Sequence, residues 1–312
     1  MVRQKRLSPD RSKLNAPWQY TTTDELILTY LARYRYLRGT TLHVLLNMKP
    51  GTVNYALRKL FDRRLIDKPK SQALGYNSLN DTDIYELTPR GAEHLTKTVP
   101  EATNLLRVVS DAPVKNFKHA MMICDALSSI EIGTRGTGCT FLSQAHVLAK
   151  NKHENPLKMK CRVRHVWANG KKQDFPTNII PDGLFGIKYP DGQTRLFLLE
   201  AEHYNPLYPT TLERASFLKK VIAYADIRKT KTIQQLGKSN FNVVFIFPTR
   251  SRALHAADIV QELYGKSDLY LITHAPVQEE IWRSPRPAPE LFTGTWLRGG
   301  LTEFSLKETP AV

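Results

Sequence analysis

Three carboxylates at the ends of apolar runs are the residues of this chain best placed to do chemistry. Asp182 lies in the stretch Ile179-Ile180-Pro181-Asp182-Gly183, and Glu200 and Glu202 close the run Leu196-Phe197-Leu198-Leu199. The turn sequence Pro190-Asp191-Gly192 between them predicts two strands of an antiparallel hairpin. Side chains alternate along a strand, so Glu200 and Glu202 share a face, and Asp182 on the facing strand can add a third acid. Clustered acids repel, and a divalent cation relieves that cost. Oxygen donors of this kind suit Mg2+ or Mn2+ rather than zinc. A cation held there could polarise a phosphodiester and lower the pKa of a bound water. Lys220, or its neighbour Lys219, in the helix that follows could stabilise charge on the phosphorane. Each acid also has a plainer reading. Asp182-Gly183 after a proline is an ordinary turn signal, and Glu200 could pair with Arg195 or Lys188 across the hairpin.

Further candidates sit on predicted helices. His119, Asp125 and Glu131 fall in Asn116–Gly133, where a histidine is usually a satisfied structural one and an acid could join the carboxylate set. Tyr224 follows Lys220 by one turn, a spacing equally suited to packing, to a hydrogen bond with phosphate, or to a nucleophile. The other signal is basic. Lys158, Lys160, Arg162 and Arg164 recur with period two, which on an extended strand puts all four on one side and Met159, Cys161 and Val163 on the other. From Lys150 to Lys172 there are eight basic residues and one acid, Glu154. A run of one sign reads as a track for phosphates rather than a merely solvated face. Trp167 could stack on a base or pack in a core; Arg283, Arg286 and Trp296 are too loosely placed to assign.

The whole chain supports that partner. Its 312 residues carry 45 Lys+Arg against 29 Asp+Glu, a net charge of +16, with residues 1–100 holding half of the excess. Such a balance favours a polyanion. There is no long helix with one basic and one aromatic face, so a membrane surface is the weaker option. No apolar run approaches the roughly 20 residues of a membrane span, and the charged N-terminus is not that of a secretory signal. Three cysteines without a CxxC pair argue against a disulfide framework or a zinc knuckle, and a reducing cytoplasm fits best.

The elements that must position these residues fall into two groups. Residues 1–19 are expected to be a basic mobile arm. Residues 20–99 hold helix patterns in quick succession: one capped by Thr23, one from about Thr41 to Met48, and a third after Pro50-Gly51. The third has Val53, Leu57, Leu60 and Phe61 on one face and Asn54, Arg58, Lys59, Arg63 and Arg64 mainly on the others. Two short strands follow, Leu65–Lys70 and Asp83–Leu87, and Thr88-Pro89 opens another helix. Residues 100–115 read as a linker. From 116 onward the order is α-β-β-β-α-β-α-β, an antiparallel start followed by a βαβ unit, which implies a mixed sheet flanked by helices. Within it Cys139–Ala149 is expected to be strand-like.

The string TVNYALRKLFDRRLID followed by YELTPRGAEHL resembles a winged helix-turn-helix domain. That resemblance implies a recognition helix in the major groove, with Thr52 and Asn54 reaching base edges and Arg58, Arg63 and Arg64 neutralising phosphates. The α-β-β-β-α-β order with PD and then ExE resembles the PD-(D/E)xK, restriction-endonuclease-like fold over 116–312. More narrowly, residues 20–275 resemble the plasmid replication-relaxation family, which includes mobilisation relaxases. The matching features are the winged helix, the Asn116, His119, Asp125 helix, PDG, LFLLEAE, and Lys220 with Tyr224. Glu202 stands where the usual ExK lysine would, and Lys220 or Lys219 replaces it from the next helix. The resemblance implies plasmid mobilisation or replication through recognition and nicking of an origin. Double-stranded DNA is then the partner, with single-stranded DNA at the nick, and the further partners to expect are a second copy in a homodimer or other relaxation-complex proteins. The alternative is a non-catalytic regulator of transcription or replication that retains the fold.

Overall fold

The computed structural model describes residues 8–14, 17–70, 83–99, 117–202, 205–237, 240–275 and 286–308. The chain divides into two units, Met1–Ile132 with Glu280–Pro287, and Gly133–Glu279 with Ala288–Val312. Among the described residues no helix is long and apolar enough to cross a membrane.

The first unit opens with helix α1 (Thr22–Tyr34). Its N-cap is Thr21 rather than Thr23. Thr21 and Thr22 each have an acid three residues on, Asp24 and Glu25, whereas Thr23 has Leu26 there. The Asp24 carboxylate takes the Thr21 amide at 2.8 Å while the Thr21 hydroxyl accepts from the Asp24 amide, closing a capping box. Strand β1 (Tyr36–Arg38) leads to α2 (Gly39–Leu46), which begins two residues earlier than expected and also ends two residues earlier, where Asn47 adopts a left-handed conformation and stops it. Helix α3 (Pro50–Asp62) starts on Pro50, whose missing N–H costs nothing in the first turn, and buries Val53, Ala56, Leu57, Leu60 and Phe61. Strands β2 (Ile66–Asp67) and β3 (Ile84–Leu87) pair with β1 in the antiparallel order β1-β3-β2. Helix α4 (Pro89–Thr98) is capped by Thr88, whose hydroxyl accepts from the Gly91 amide. A Cβ on Gly91 would stand 1.9 Å from the Leu65 carbonyl oxygen, so this helix can lie against β2 only with glycine there. Residues 71–82 of the loop between β2 and β3, the linker 100–115 and Asn116 lie outside the described residues.

Two expectations change here. Helix α5 (Phe117–Gly133) was to open the second domain, yet up to Ile132 it belongs to the first unit. Phe117, Met121 and Cys124 cluster with Tyr36 and Ile84, Asp125 pairs with the buried Arg38 at 3.1 Å, and Glu131 pairs with Arg33 at 2.7 Å. These partners lie some ninety residues upstream, where no local pattern points to them. The N-terminal arm is docked in its described part. The Asp10 amide donates to Asp62, and Trp18 is packed beside Tyr20 and His94 with Arg63 over its ring. Arg3, Lys5 and Arg6 lie outside the described residues.

The second unit is built on a seven-stranded mixed sheet flanked by helices. It holds β4 (Thr140–Leu142), α6 (Gln144–Leu148), β5 (Met159–Val166), β6 (Lys172–Ile179), β7 (Gly183–Lys188) and β8 (Thr194–Ala201). Then come α7 (Phe217–Thr230), β9 (Phe241–Phe247), α8 (Arg250–Tyr264), β10 (Tyr270–His274), α9 (Glu290–Thr293), β11 (Thr295–Arg298) and β12 (Leu301–Ser305). The strand order is β12-β11-β10-β9-β8-β7-β4. Strands β4, β7 and β8 run antiparallel, and β8, β9 and β10 run parallel through the crossovers α7 and α8. The β7–β8 turn uses Gly192 at φ 84, as Pro190-Asp191-Gly192 predicts. Strand β9 is buried along its whole length, the mark of a central parallel strand. Phe217 of α7 packs edge-on against Phe245 and Phe247. The run expected to be one strand at 139–149 is half helix, because Ser143 caps α6. Residues Lys172–Ile179, for which no strand of their own is expected, form strand β6, which pairs with β5 as a separate two-stranded ribbon. Trp167 donates to Gln173 and packs against the core, and the buried Trp296 donates to the Leu291 carbonyl.

Candidate active site and nucleic-acid interface

The register of β7 against β8 pairs Gly183 with Leu199, which sets Asp182 beside the end of β8. There an Asp182 carboxylate oxygen accepts the Ala201 amide at 2.9 Å. Glu200 is the penultimate residue of β8. Glu202 follows the strand, and its amide continues the parallel ladder by donating to the Ile246 carbonyl at 2.9 Å. Both glutamates are buried, 1% and 0% exposed. Helix α7, capped by Ser216, crosses over this strand end and delivers Lys220 and, one turn later, Tyr224. The Lys220 ammonium stands 2.6 Å from Glu200 Oε2 and 2.6 Å from Glu202 Oε1. The Tyr224 hydroxyl donates a short hydrogen bond to Glu200 Oε1. Asn205 donates to Glu202 Oε2 at 3.1 Å, and Arg252 of α8 donates to the Asn205 carbonyl at 2.7 Å.

These contacts set the protonation of the centre. Burial pushes the Glu200 carboxyl up; Lys220 pulls it down, and the neighbouring Asp182 and Glu202 push it up again, to about 8. Burial works against the charge on Lys220, but Glu200, Glu202 and Asp182 outweigh it and hold its pKa above the ordinary lysine value. The Tyr224 phenol is pushed well up by burial and then by Glu200. It is a proton donor here, an environment that opposes a phenolate nucleophile.

Asp182, Glu200, Glu202, Lys220 and Tyr224 are therefore together. Lys219 is not among them. Its ammonium donates to the Glu213 carbonyl at 3.1 Å and lies 5.5 Å from the centre of the Phe175 ring, because adjacent helical residues point about 100° apart. His119, half-buried, and Asp125 belong to the first unit, where Asp125 is taken up by Arg38. Neither Arg195 nor Lys188 pairs with Glu200, since both sit at the far end of the hairpin from it. In chemistry the donor set, three carboxylates, suits a hard divalent cation, although Glu202 Oε1 is already ion-paired to Lys220 at 2.6 Å. In arrangement it is gathered around a lysine. Among the described residues no three His, Cys, Asp or Glu side chains are grouped to hold a metal ion. Asn205 was missed by the sequence reading; its only signal was its place three residues after Glu202.

In the first unit the exposed side of α3 presents Thr52, Asn54, Tyr55 and Arg58, and Arg64 is exposed just past its end. His43 of α2 lies 3.2 Å from the Asn54 side-chain oxygen and orients that amide. Arg63, expected on phosphate, is 7% exposed and stacks 4.7 Å over Trp18. The helix ends at Asp62, so its period no longer governs Arg63, and the turn folds it inward. Lys59 is also structural, 2.5 Å from the buried Asp24. In the second unit β5 alternates as predicted: Met159, Cys161 and Val163 are buried, while Lys160, Arg162 and Arg164 are exposed, with Lys158 just before them.

No curated protein and no solved structure matches this chain. The model of the replication-relaxation family matches residues 28–244, from within α1 into β9 and through all five residues of the carboxylate centre. With well over half of its length matched, the chain belongs to the replication-relaxation family.

Proposed function

We propose that this protein binds an origin-type duplex site of a plasmid or mobile element and nicks it at the Asp182, Glu200, Glu202 and Lys220 centre. The observation that carries the reading is the burial of Glu200 and Glu202 around Lys220 at the end of a central strand. Charges are costly to bury, and perturbed, paired ionisable groups cluster at working sites. Family membership supports a role in plasmid replication or relaxation. The order α1-β1-α2-α3-β2-β3-α4 with its three-stranded sheet supports a winged helix-turn-helix, with α3 as the recognition helix. The β4-β7-β8-α7-β9 arrangement supports a nuclease-like second unit.

Asp182, Glu200 and Glu202 would hold a Mg2+ or Mn2+, whose contribution there is polarisation of the phosphodiester and a lowered pKa of bound water. Lys220 supplies positive charge against the pentavalent phosphorus. Burial holds the metal-free Glu200 carboxyl up at about 8, so taking up the cation there would release its proton. Tyr224 and Asn205 fix the two glutamates through their second oxygens.

The test is relaxation of a supercoiled plasmid carrying the protein's own flanking DNA, with and without Mg2+ or Mn2+, beside Glu200→Ala. Metal-dependent open circles lost in the variant are the expected result. Nicking by Glu200→Ala at the wild-type rate overturns the site. A second reading, a DNA-binding regulator that does not cut, is favoured by one observation: Lys220 already pairs with both glutamates where a cation would sit. Tight site-specific binding without nicks would establish it.

A further inference from the structure

The β5–β6 ribbon is the largest feature that the nicking centre does not use. The two strands pair over eight residue positions, from Met159↔Ile179 to Val166↔Lys172, outside the seven-stranded sheet. One face is buried through Met159, Cys161 and Val163 and packs on α7. The other face is exposed and carries Lys160, Arg162 and Arg164 from β5 and Lys172 from β6, with Lys158 at the entrance. Opposite them stand Asn178, Pro176 and Asp174. Asp174 is the one acid of this face, 2.5 Å from Arg162 and 3.5 Å from Arg164. At one end Lys158, Lys160, Asn178 and His153, with one acid, Glu154, line a cleft of about 380 Å3.

The ribbon is joined directly to the carboxylate centre. Strand β6 ends at Ile179, and Asp182 follows three residues later. Helix α7 ties the two as well. Its Lys220 reaches the glutamates, and its Asp226 accepts the Arg162 amide at 2.8 Å. Because Lys160 faces Asn178, the Lys158–Lys160 end of the stripe is the end nearest Asp182 along β6.

We propose that the β5–β6 ribbon is a second DNA-binding surface that grips the duplex backbone flanking the nick site, with Asp174 as a built-in competitor of phosphate for Arg162 and Arg164. The inference rests on the DNA reading above. Two strands lie about 4.8 Å apart, narrow enough to lie along or within a major groove about 12 Å wide. At ~3.3 Å per residue, the eight-residue strands are about 26 Å long, the rise of roughly 8 base pairs. Duplex fits better than single strand. Single-strand platforms stack bases on aromatic rings, and the exposed positions of this face carry none. Phe175 is half-buried beneath Lys219, on the side away from the stripe.

The test is binding of the full-length protein to a random-sequence duplex and to one of its single strands across a salt series. Each lost phosphate contact reduces the slope of log affinity against log salt by about 0.9 on duplex. The double variant Lys160→Glu, Arg164→Glu is expected to flatten the duplex slope by about 2. Asp174→Asn, which keeps shape and frees two guanidinium groups, is expected to tighten duplex binding several-fold. A wild-type slope in the double variant, or unchanged or weaker binding by Asp174→Asn, overturns the ribbon surface. So does a preference of wild type for the single strand that the double variant abolishes. Wild-type protein that binds no duplex at all would remove the DNA reading itself, which separates the two failures.

Discussion

Lys220 is the only cation drawn between Glu200 and Glu202 among the described residues. Removing it leaves two buried carboxylates without a counter-charge, a loss of about 3–5 kcal/mol where both are ionised. Lys220→Met should therefore melt well below wild type at pH 9 and much closer to it at pH 5, in a thermal denaturation followed at both values. Glu200 gives a second pH signature. Its carboxyl is raised from an ordinary 4.5 to about 8, so the folded chain holds this proton more tightly than the unfolded chain. Its contribution to stability is full below about 4.5 and is lost as pH rises through about 8. Glu200→Gln should flatten that part of the stability curve; an unchanged slope between those values would place the titration on another group. Two arginines at one helix end make a contrasting pair. Arg58→Ala should weaken duplex binding several-fold and leave melting alone. Arg63→Ala should cost about 1–2 kcal/mol through its lost cation–π stack and packing, read by urea titration.

Elements show where local pattern suffices and where it fails. Helix α3 was legible because Pro50 starts it and its apolar residues keep a 3.6 period. Strand β5 was legible because charge and burial alternate through six residues. The meeting of Asp182 with Glu200 followed from a recognisable turn, and that of Lys220 from the crossover helix that a parallel neighbour requires. Strand β6 was hidden because its inward positions, Gln173, Phe175, Thr177 and Ile179, alternate only weakly in hydrophobicity and Pro176 interrupts them. Helix α6 was hidden because one turn of helix and one short strand look alike in an apolar run. Arg63 was misplaced by extending a helical period one residue beyond the helix. The close approach of α4 to β2 yields a sharper prediction. Gly91→Ala must push the Leu65 carbonyl aside, since its Cβ would lie 1.9 Å from that oxygen. The expected loss is about 1–3 kcal/mol in denaturant unfolding, typical of overpacking.

At the scale of the molecule the net charge of +16 is spread through both units rather than confined to a tail. Each unit offers cations on a defined element, Arg58 and Arg64 at α3 and the stripe on β5. With about 6–10 phosphates engaged, affinity for any duplex should fall by roughly 10³–10⁵ between about 50 and 200 mM salt. A fluorescence-anisotropy titration across that range measures it, and a shallow dependence would mean that few of these side chains meet DNA. Domain membership was the least legible property at this scale. Helix α5 carries no local mark of which unit it joins, and the buried Arg38 that settles the matter is eighty-seven residues before Asp125.

The hydrogen bond from the Ala201 amide to the Asp182 carboxylate gives the centre its own spectroscopic probe. That amide proton is main-chain, so it survives every side-chain substitution at the site and can be observed in isotopically labelled protein. Whatever draws the Asp182 oxygen elsewhere, whether a proton or a cation, must shift its resonance and speed its exchange with deuterium. One backbone signal can therefore report the state of the carboxylates without any DNA being cut.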